Sequence, residues 1–233
     1  MPAVKLTWLG HATFQLELEQ GETIIIDPWI EGNPSYPHSH RISRLDAVLI
    51  THGHFDHIGD AVALANNFKP KVVGIYELCH WLESKGVGNL SPMNKGGTQA
   101  VGSVQATMVH AQHSCGILDG GQIIYGGEAC GYVIHFENNM KIYHAGDTNV
   151  FGDMKIIKDL YDPDIAMIPI GDHYTMGPRE ASYAIDLLRP KAVIPMHFGT
   201  FPPLTGTPDA LVKRIGDLNT EVWALDPGKP VQW

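Results

Sequence analysis

Between Thr51 and Ile58 the chain reads His52-Gly53-His54-Phe55-Asp56-His57, four metal-binding side chains within six residues, directly after the apolar run Ala47-Val48-Leu49-Ile50. In an extended segment leaving a strand, side chains alternate in direction, so His52 and His54 point the same way and can share one ion. Asp56 and His57 are adjacent, cannot both point there, and are expected to turn towards a second ion. Imidazole and carboxylate together suit zinc, manganese, iron or nickel better than calcium. The run reads as half of a two-metal hydrolytic site.

Other candidates stand at the ends of apolar runs. Asp147 follows Ile142-Tyr143, and His197 closes Ala192-Val193-Ile194-Pro195-Met196. Asp27 closes an apolar strand before Pro28, where a buried carboxylate needs a partner; it is expected to accept a hydrogen bond from a ligand histidine and fix its ring, a plain turn carboxylate being the alternative. His11, His144 and His173 are candidate polar groups near the ions. The loop 171–177 leaves a strand as an acid or substrate-contact loop would, so His173 is the candidate for substrate contact. His38, His40, His80 and His135 belong to no motif and read as ordinary residues. Residues 114–131 contain six glycines. They have the composition of a flexible flap over the site or of a hairpin with no role. No P-loop lysine or dinucleotide fingerprint follows a strand here, so a phosphate cradle is not indicated.

These residues need a scaffold, and the chain supplies one. With 233 residues and 44% hydrophobic content it can bury a sizeable core, and no linker, charge block or composition shift divides it, so one domain over 1–233 is expected. The formal net charge of −9, from 16 Lys+Arg against 25 Asp+Glu, with no basic cluster, argues against a nucleic-acid partner. The start lacks the apolar core of a signal peptide and no stretch is long enough to span a membrane, so a soluble, cytoplasmic protein with no membrane partner is expected. Cys79, Cys115 and Cys130 show no CxxC spacing, which signals neither disulfides nor a thiolate zinc site. Cys79 and Cys130 read as buried thiols; Cys115, two residues from His113, is left open.

Strands are expected at 5–9, 13–19 and 23–26, with a hairpin turn at 20–22. Three further segments, 46–52, 164–170 and 191–197, share one design, a short apolar strand followed by polar or Gly-rich residues, two of them ending on histidine. Buried parallel strands look like this and carry ligands at their carboxyl ends. Helices are expected at 58–67, 77–85, 179–188 and 208–218, the third led by Gly177-Pro178. Residues 14–27 match 132–144, and 47–52 match 192–197, as a weak internal repeat. Two halves packing sheet on sheet with helices outside make an α/β fold, an αββα sandwich with the site along one edge.

The motifs Leu9-Gly10-His11-Ala12, Ile26-Asp27-Pro28, Thr51 to His57, Gln112-His113-Ser114, His144-Ala145-Gly146-Asp147-Thr148 and Pro195-Met196-His197-Phe198 span nearly the whole chain. With them the sequence resembles the metallo-β-lactamase superfamily. Within it the chain resembles the metal-dependent hydrolases related to L-ascorbate-6-phosphate lactonase and to N-acylphosphatidylethanolamine phospholipase D. The resemblance implies that His52, His54 and His113 hold one divalent ion and Asp56, His57 and His197 a second, with Asp147 bridging. Zinc is the first choice, with manganese, nickel or iron as alternatives. It also favours His113 over the neighbouring His110, because only His113 sits in the Gln-His-Ser context.

The chemistry implied is hydrolysis of a small lactone or phosphoester by hydroxide that two ions about 3.5–4 Å apart make available near neutral pH. Asp56 would orient the nucleophile or move its proton, and His173 would contact the substrate. A small-molecule partner is expected, with homo-oligomerisation left open. A nuclease of the same superfamily is disfavoured by the acidic charge. A diiron redox protein is disfavoured because His54 stands where that group carries glutamate. A β-lactamase with cysteine at the second ion is disfavoured because Asp147 holds the late strand-end position, and a glyoxalase II would need an added helical substrate domain. A non-catalytic metal-binding scaffold is the non-enzyme alternative.

Overall fold

Antiparallel pairing followed by parallel pairing occurs twice along the chain. In the computed structural model, which describes residues 4–233, β1 (Val4–Trp8), β2 (Phe14–Leu18) and β3 (Thr23–Ile26) pair antiparallel in sequence. β4 (Ala47–Leu49), β5 (Lys71–Ile75) and β6 (Leu90–Met93) then add in parallel, their connections carrying α1 (Phe55–Ile58), α2 (Ala61–Phe68) and α3 (Tyr76–Ser84).

The second half opens with β7 (Thr98–Val101) and β8 (Val104–His110), followed by a separate hairpin of β9 (Gly116–Asp119) and β10 (Gln122–Tyr125). Then β11 (Cys130–His135) and β12 (Lys141–His144) pair antiparallel. After α4 (Met154–Tyr161), β13 (Ile165–Pro169), α5 (Pro178–Leu188), β14 (Ala192–Met196), α6 (Pro208–Ile215) and β15 (Glu221–Val222) follow, the three strands adding in parallel. β16 (Pro230–Gln232) returns to pair with β1. Two seven-stranded sheets result, ordered β16-β1-β2-β3-β4-β5-β6 and β15-β14-β13-β12-β11-β8-β7. The hairpins β2–β3 and β11–β12 occupy matching places, which is the repeat seen in the sequence.

Side-chain alternation explains the layers. Along β13, Ile165 and Met167 join the core between the sheets, whereas Ala166 and Ile168 face α5 and α6; Val193 does likewise between Ala192 and Ile194 on β14. Strands covered on both faces must be apolar throughout, so the expected parallel strands are continuous hydrophobic runs. The molecule is the αββα sandwich expected.

Several elements go beyond or depart from the sequence reading, which expected no strand at β5 to β8, β15 or β16. The helix expected at 58–67 is broken, because the Asp60 carboxylate accepts hydrogen bonds from the backbone N–H of Ile30 at 2.5 Å and Glu31 at 3.0 Å, which fixes a corner between α1 and α2. α4 was not among the helices expected; it carries no N-cap side-chain bond, buries Met154 and Ile157 and leaves Ile156 and Leu160 exposed. The Gly-rich segment forms the β9–β10 hairpin, turning at Gly120-Gly121 with φ of +57° and +82°, as tight two-residue turns require. Asp119 at its tip accepts from Trp81 Nε1 at 2.9 Å and lies 2.6 Å from Lys85 Nζ, tying the hairpin to α3. Among the described residues no helix is long and apolar enough to cross a membrane.

Candidate metal centre

Four strands deliver their ends to one edge: Asp27 follows β3, His52 follows β4, Asp147 follows β12 and His197 follows β14. The chain turns sharply there. Asp27, His197 and the nearby His11 adopt left-handed φ of +49°, +56° and +54°, a conformation that a non-glycine residue holds only where its surroundings over-determine it. Gly171, after β13, lets the backbone pass so close that a Cβ there would lie 2.0 Å from the His197 carbonyl oxygen.

Ligand atoms of His52, His54, His113 and Asp147 lie within 4.8 Å of one another, and so do those of His11, Asp56, His57 and His197. His54 Nδ1 is 3.0 Å from His52 Nε2 and 3.3 Å from His113 Nε2. Nitrogens bound at ~2.0–2.1 Å around a tetrahedral ion stand ~3.3–3.4 Å apart, so this trio fits one ion. Asp147 Oδ2 joins the two groups. It lies 3.8 Å from His52 Nε2, 3.6 Å from His113 Nε2, 3.4 Å from His57 Nε2 and 3.0 Å from His197 Nε2. Buried His57 Nε2, both ring nitrogens of His197 and Asp147 Oδ1 have no hydrogen-bond partner. Orphaned donors and acceptors are costly in a protein interior, and here they converge where cations would satisfy most of them.

Asp27 holds the tautomers. Its carboxylate accepts from Thr51 N at 2.8 Å, Thr51 Oγ1 at 2.6 Å and His57 Nδ1 at 2.8 Å, which leaves His57 Nε2 free. Because the Thr51 hydroxyl donates to Asp27, it can only accept from His52 Nδ1, 3.0 Å away, which frees His52 Nε2. His54 presents Nδ1 and places Nε2 3.2 Å from Ser114 Oγ. His144 accepts from the Gly146 N–H through Nδ1 at 3.1 Å and donates through Nε2 to the Ala12 carbonyl at 3.1 Å, bracing the turn into Asp147. On the other side, Asp56 Oδ2 accepts from His11 Nε2 at 3.0 Å, and His11 Nδ1 meets Thr200 Oγ1 at 2.6 Å.

The charges divide unevenly. Burial pulls His52, His54 and His113 below the usual imidazole range, as metal ligands must be. Burial also works against charge on His57 and His197, but the Asp147 carboxylate outweighs it, raising His57 well above its ordinary value and His197 to about 9. His11 falls to about 4, through burial and then the neighbouring His197. Burial would raise Asp56, yet the hydrogen bond from His11 and the nearby His197 and His57 rings hold it far below the carboxylate range.

A cavity of about 530 Å³ opens over these groups, lined by His54, Asp56, His113, Asp147 and His197 on its polar side. His173, at φ +60°, is swung out to solvent with its ring 4.5 Å from that of Tyr174, and it is Tyr174 that lines the cavity. Arg179 is exposed and outside the lining. His110 lies against Phe151 and 3.1 Å from Lys95 Nζ, outside both ligand groups. Cys115 is buried, donates to the Gly126 carbonyl and belongs to neither group. Sequence reasoning did not find the Phe201-Pro202-Pro203 wall, nor Thr200 behind His11; no motif marks them.

The sequence model of a β-lactamase superfamily domain matches residues 22–198. The chain is 62% identical over 230 residues to a metal-dependent hydrolase of Solibacter usitatus, spanning 99% of this chain and 100% of that one. It is 61% identical over 216 residues to one of Koribacter versatilis, spanning 92% and 93%. Among solved structures it is similar to a metallo hydrolase of the hyperthermophilic archaeon Ignicoccus hospitalis, with 34% identity, a TM-score of 0.87, and 99% of this chain and 98% of that one covered.

Proposed function

The chain belongs to the β-lactamase superfamily and is a metal-dependent hydrolase, and from that premise we propose that it hydrolyses a small lactone or phosphoester at a site for two divalent transition-metal ions. The observation that carries this is Asp147 Oδ2, one oxygen within 3.8 Å of imidazole nitrogens from both ligand groups. His52, His54 and His113 would hold one ion, Asp56, His57 and His197 the other, and Asp147 both; zinc suits this donor set best. Bound there, such ions supply Lewis acidity and make water acidic enough to furnish hydroxide near neutral pH.

The chain's own groups do the rest. Asp27 and Thr51 orient His52 and His57, so the ligand nitrogens are set before substrate arrives. Asp56 is held ionised, which makes it a weak base, and its His11 hydrogen bond fixes its carboxylate plane; its part is orientation. Ser114 and Tyr174 are the residues of the lining outside the ligand set whose hydroxyls can donate to a leaving oxygen. With no Lys or Arg in the lining, a polynucleotide backbone finds no counter-charge beyond the ions.

Elemental analysis of protein purified without chelator and then reconstituted should give up to two ions per chain. Rates on lactones, aryl phosphodiesters and single-stranded RNA are then compared at equal metal loading, and a lactone or phosphodiester should lead. Saturation below one ion per chain would sink the dinuclear site, a wide preference for RNA would promote a nuclease, and no turnover of any substrate would leave a scaffold.

A further inference from the structure

The cavity wall facing the ligand groups is almost entirely carbon: Phe55, Leu118, Phe201, Pro202 and Pro203, with Tyr174 beside them. This wall is braced. Phe201 stacks on Trp29 at 5.5 Å, Trp29 meets the Phe55 ring edge-on at 5.9 Å, and the hairpin bearing Leu118 is tied to α3 through Asp119. Apolar surface also continues outward, with Leu118 66% exposed and its cross-strand partner Ile123 80% exposed. Side chains this apolar, standing in water beside a polar site, mark a surface that a ligand covers.

Charge is arranged to the same end. The lining contains no Lys or Arg, His173 and Arg179 stand outside it, and Lys85 and Lys95 are engaged, Lys85 with Asp119 on the hairpin and Lys95 with Glu128. A charged group on the substrate away from the reacting bond would be desolvated against carbon without a partner.

We infer that the substrate is a small carboxylic ester or lactone whose acyl part is apolar and uncharged, lying along Leu118 and the Phe201–Pro203 wall. This rests on the hydrolase reading and narrows it. In the reaction, water's hydroxyl bonds to the acyl carbon, the acyl C–O bond breaks, and water's remaining proton goes to the departing alkoxide, giving a carboxylic acid and an alcohol from an ester and a single hydroxy acid from a lactone. The volume, within the ~300–1,000 Å³ of small-molecule sites, accommodates a chain of several carbons.

The test uses the metal-loaded full chain and 4-nitrophenyl esters from acetyl to octanoyl, together with the octanoyl-length ester ending in a carboxylate. kcat/KM should rise about fourfold per methylene, the factor for about 0.8 kcal/mol, and the terminal carboxylate should cancel most of that gain. Leu118→Asp should collapse the octanoyl-to-acetyl ratio about tenfold or more. A flat chain-length series, or a carboxylate-ended ester that matches the octanoyl ester, overturns the inference. If no ester is turned over at all, the hydrolase reading fails for this chemistry, and calorimetric binding of octanamide against acetamide decides the inference separately: tighter octanamide supports an apolar site and equal binding overturns it.

Discussion

Asp27 is buried behind the site, outside the cavity lining, and yet it decides which ring nitrogen two histidines offer to it. It accepts three hydrogen bonds at once, so Asp27→Asn, nearly identical in volume, must turn a donor towards Thr51 or His57 and release a tautomer. Metal affinity measured by competition with a chromogenic chelator should fall about 10–100-fold, and an unchanged affinity would mean that the rings are held by something else. Asp147 and His110 give the complementary contrast. Asp147→Ala removes the oxygen common to both ligand groups and should reduce bound metal to less than half, while His110→Ala, acting at a ring packed on Phe151, should leave metal content unchanged. Loss of metal in His110→Ala with retention in His113→Ala would reverse the assignment.

At the scale of elements, the strand ends are positioned by close backbone packing as much as by side chains. The loop after β13 passes the loop after β14 at Gly171, and His197 in that second loop is itself fixed by its N–H to the His11 carbonyl at 3.0 Å. Gly171→Ala should therefore destabilise by about 1–3 kcal/mol, lower Tm by about 2–4 °C for each of those, and weaken metal binding through His197. Gly88→Ala, where a Cβ meets open space, is the control. Melting curves and metal titrations of the two variants check this; equal behaviour would mean that the loops adjust freely. The same loops show where sequence reading stops. His52 and His54 were legible because the backbone up to His54 is extended and alternation is local, whereas Asp56 and His57 stand on the short helix α1 and not in the extended segment read from the sequence. The parallel strands were legible because burial on both faces forces apolar runs. His11 and Thr200 meet across 189 residues, a contact no spacing rule reaches. Tyr174 and not His173 lines the cavity, in a loop where Asp172 and His173 both take left-handed φ, +70° and +60°, a backbone course that nothing in the local sequence signals.

For the whole molecule, the net charge of −9 conceals a sharper imbalance. Asp27, Asp56 and Asp147 are buried at one edge, and among the described residues their ion-pair partners are histidines alone. Buried carboxylates without a permanent cation are expensive, so the fold itself depends on positive charge at this edge. Protons on His57 and His197 can supply some of it, and bound metal can supply it instead. The two sources respond oppositely to pH. His197 is raised from 6.5 to about 9, so the stability its proton contributes is complete below about 6.5 and is lost as pH rises through about 9. Metal competes with those protons and binds more tightly over the same interval. The chelated protein should therefore melt at progressively lower temperature from pH 6.5 to 9, while the metal-loaded protein holds or gains. At a free metal concentration a hundredfold above its dissociation constant, each site contributes about 2.7 kcal/mol, or about 5–10 °C in Tm for a chain of this size. Melting curves with and without chelator across that interval read the gap directly. A gap that stays constant or closes towards pH 9 would show that the histidine protons do not stand in for the ions.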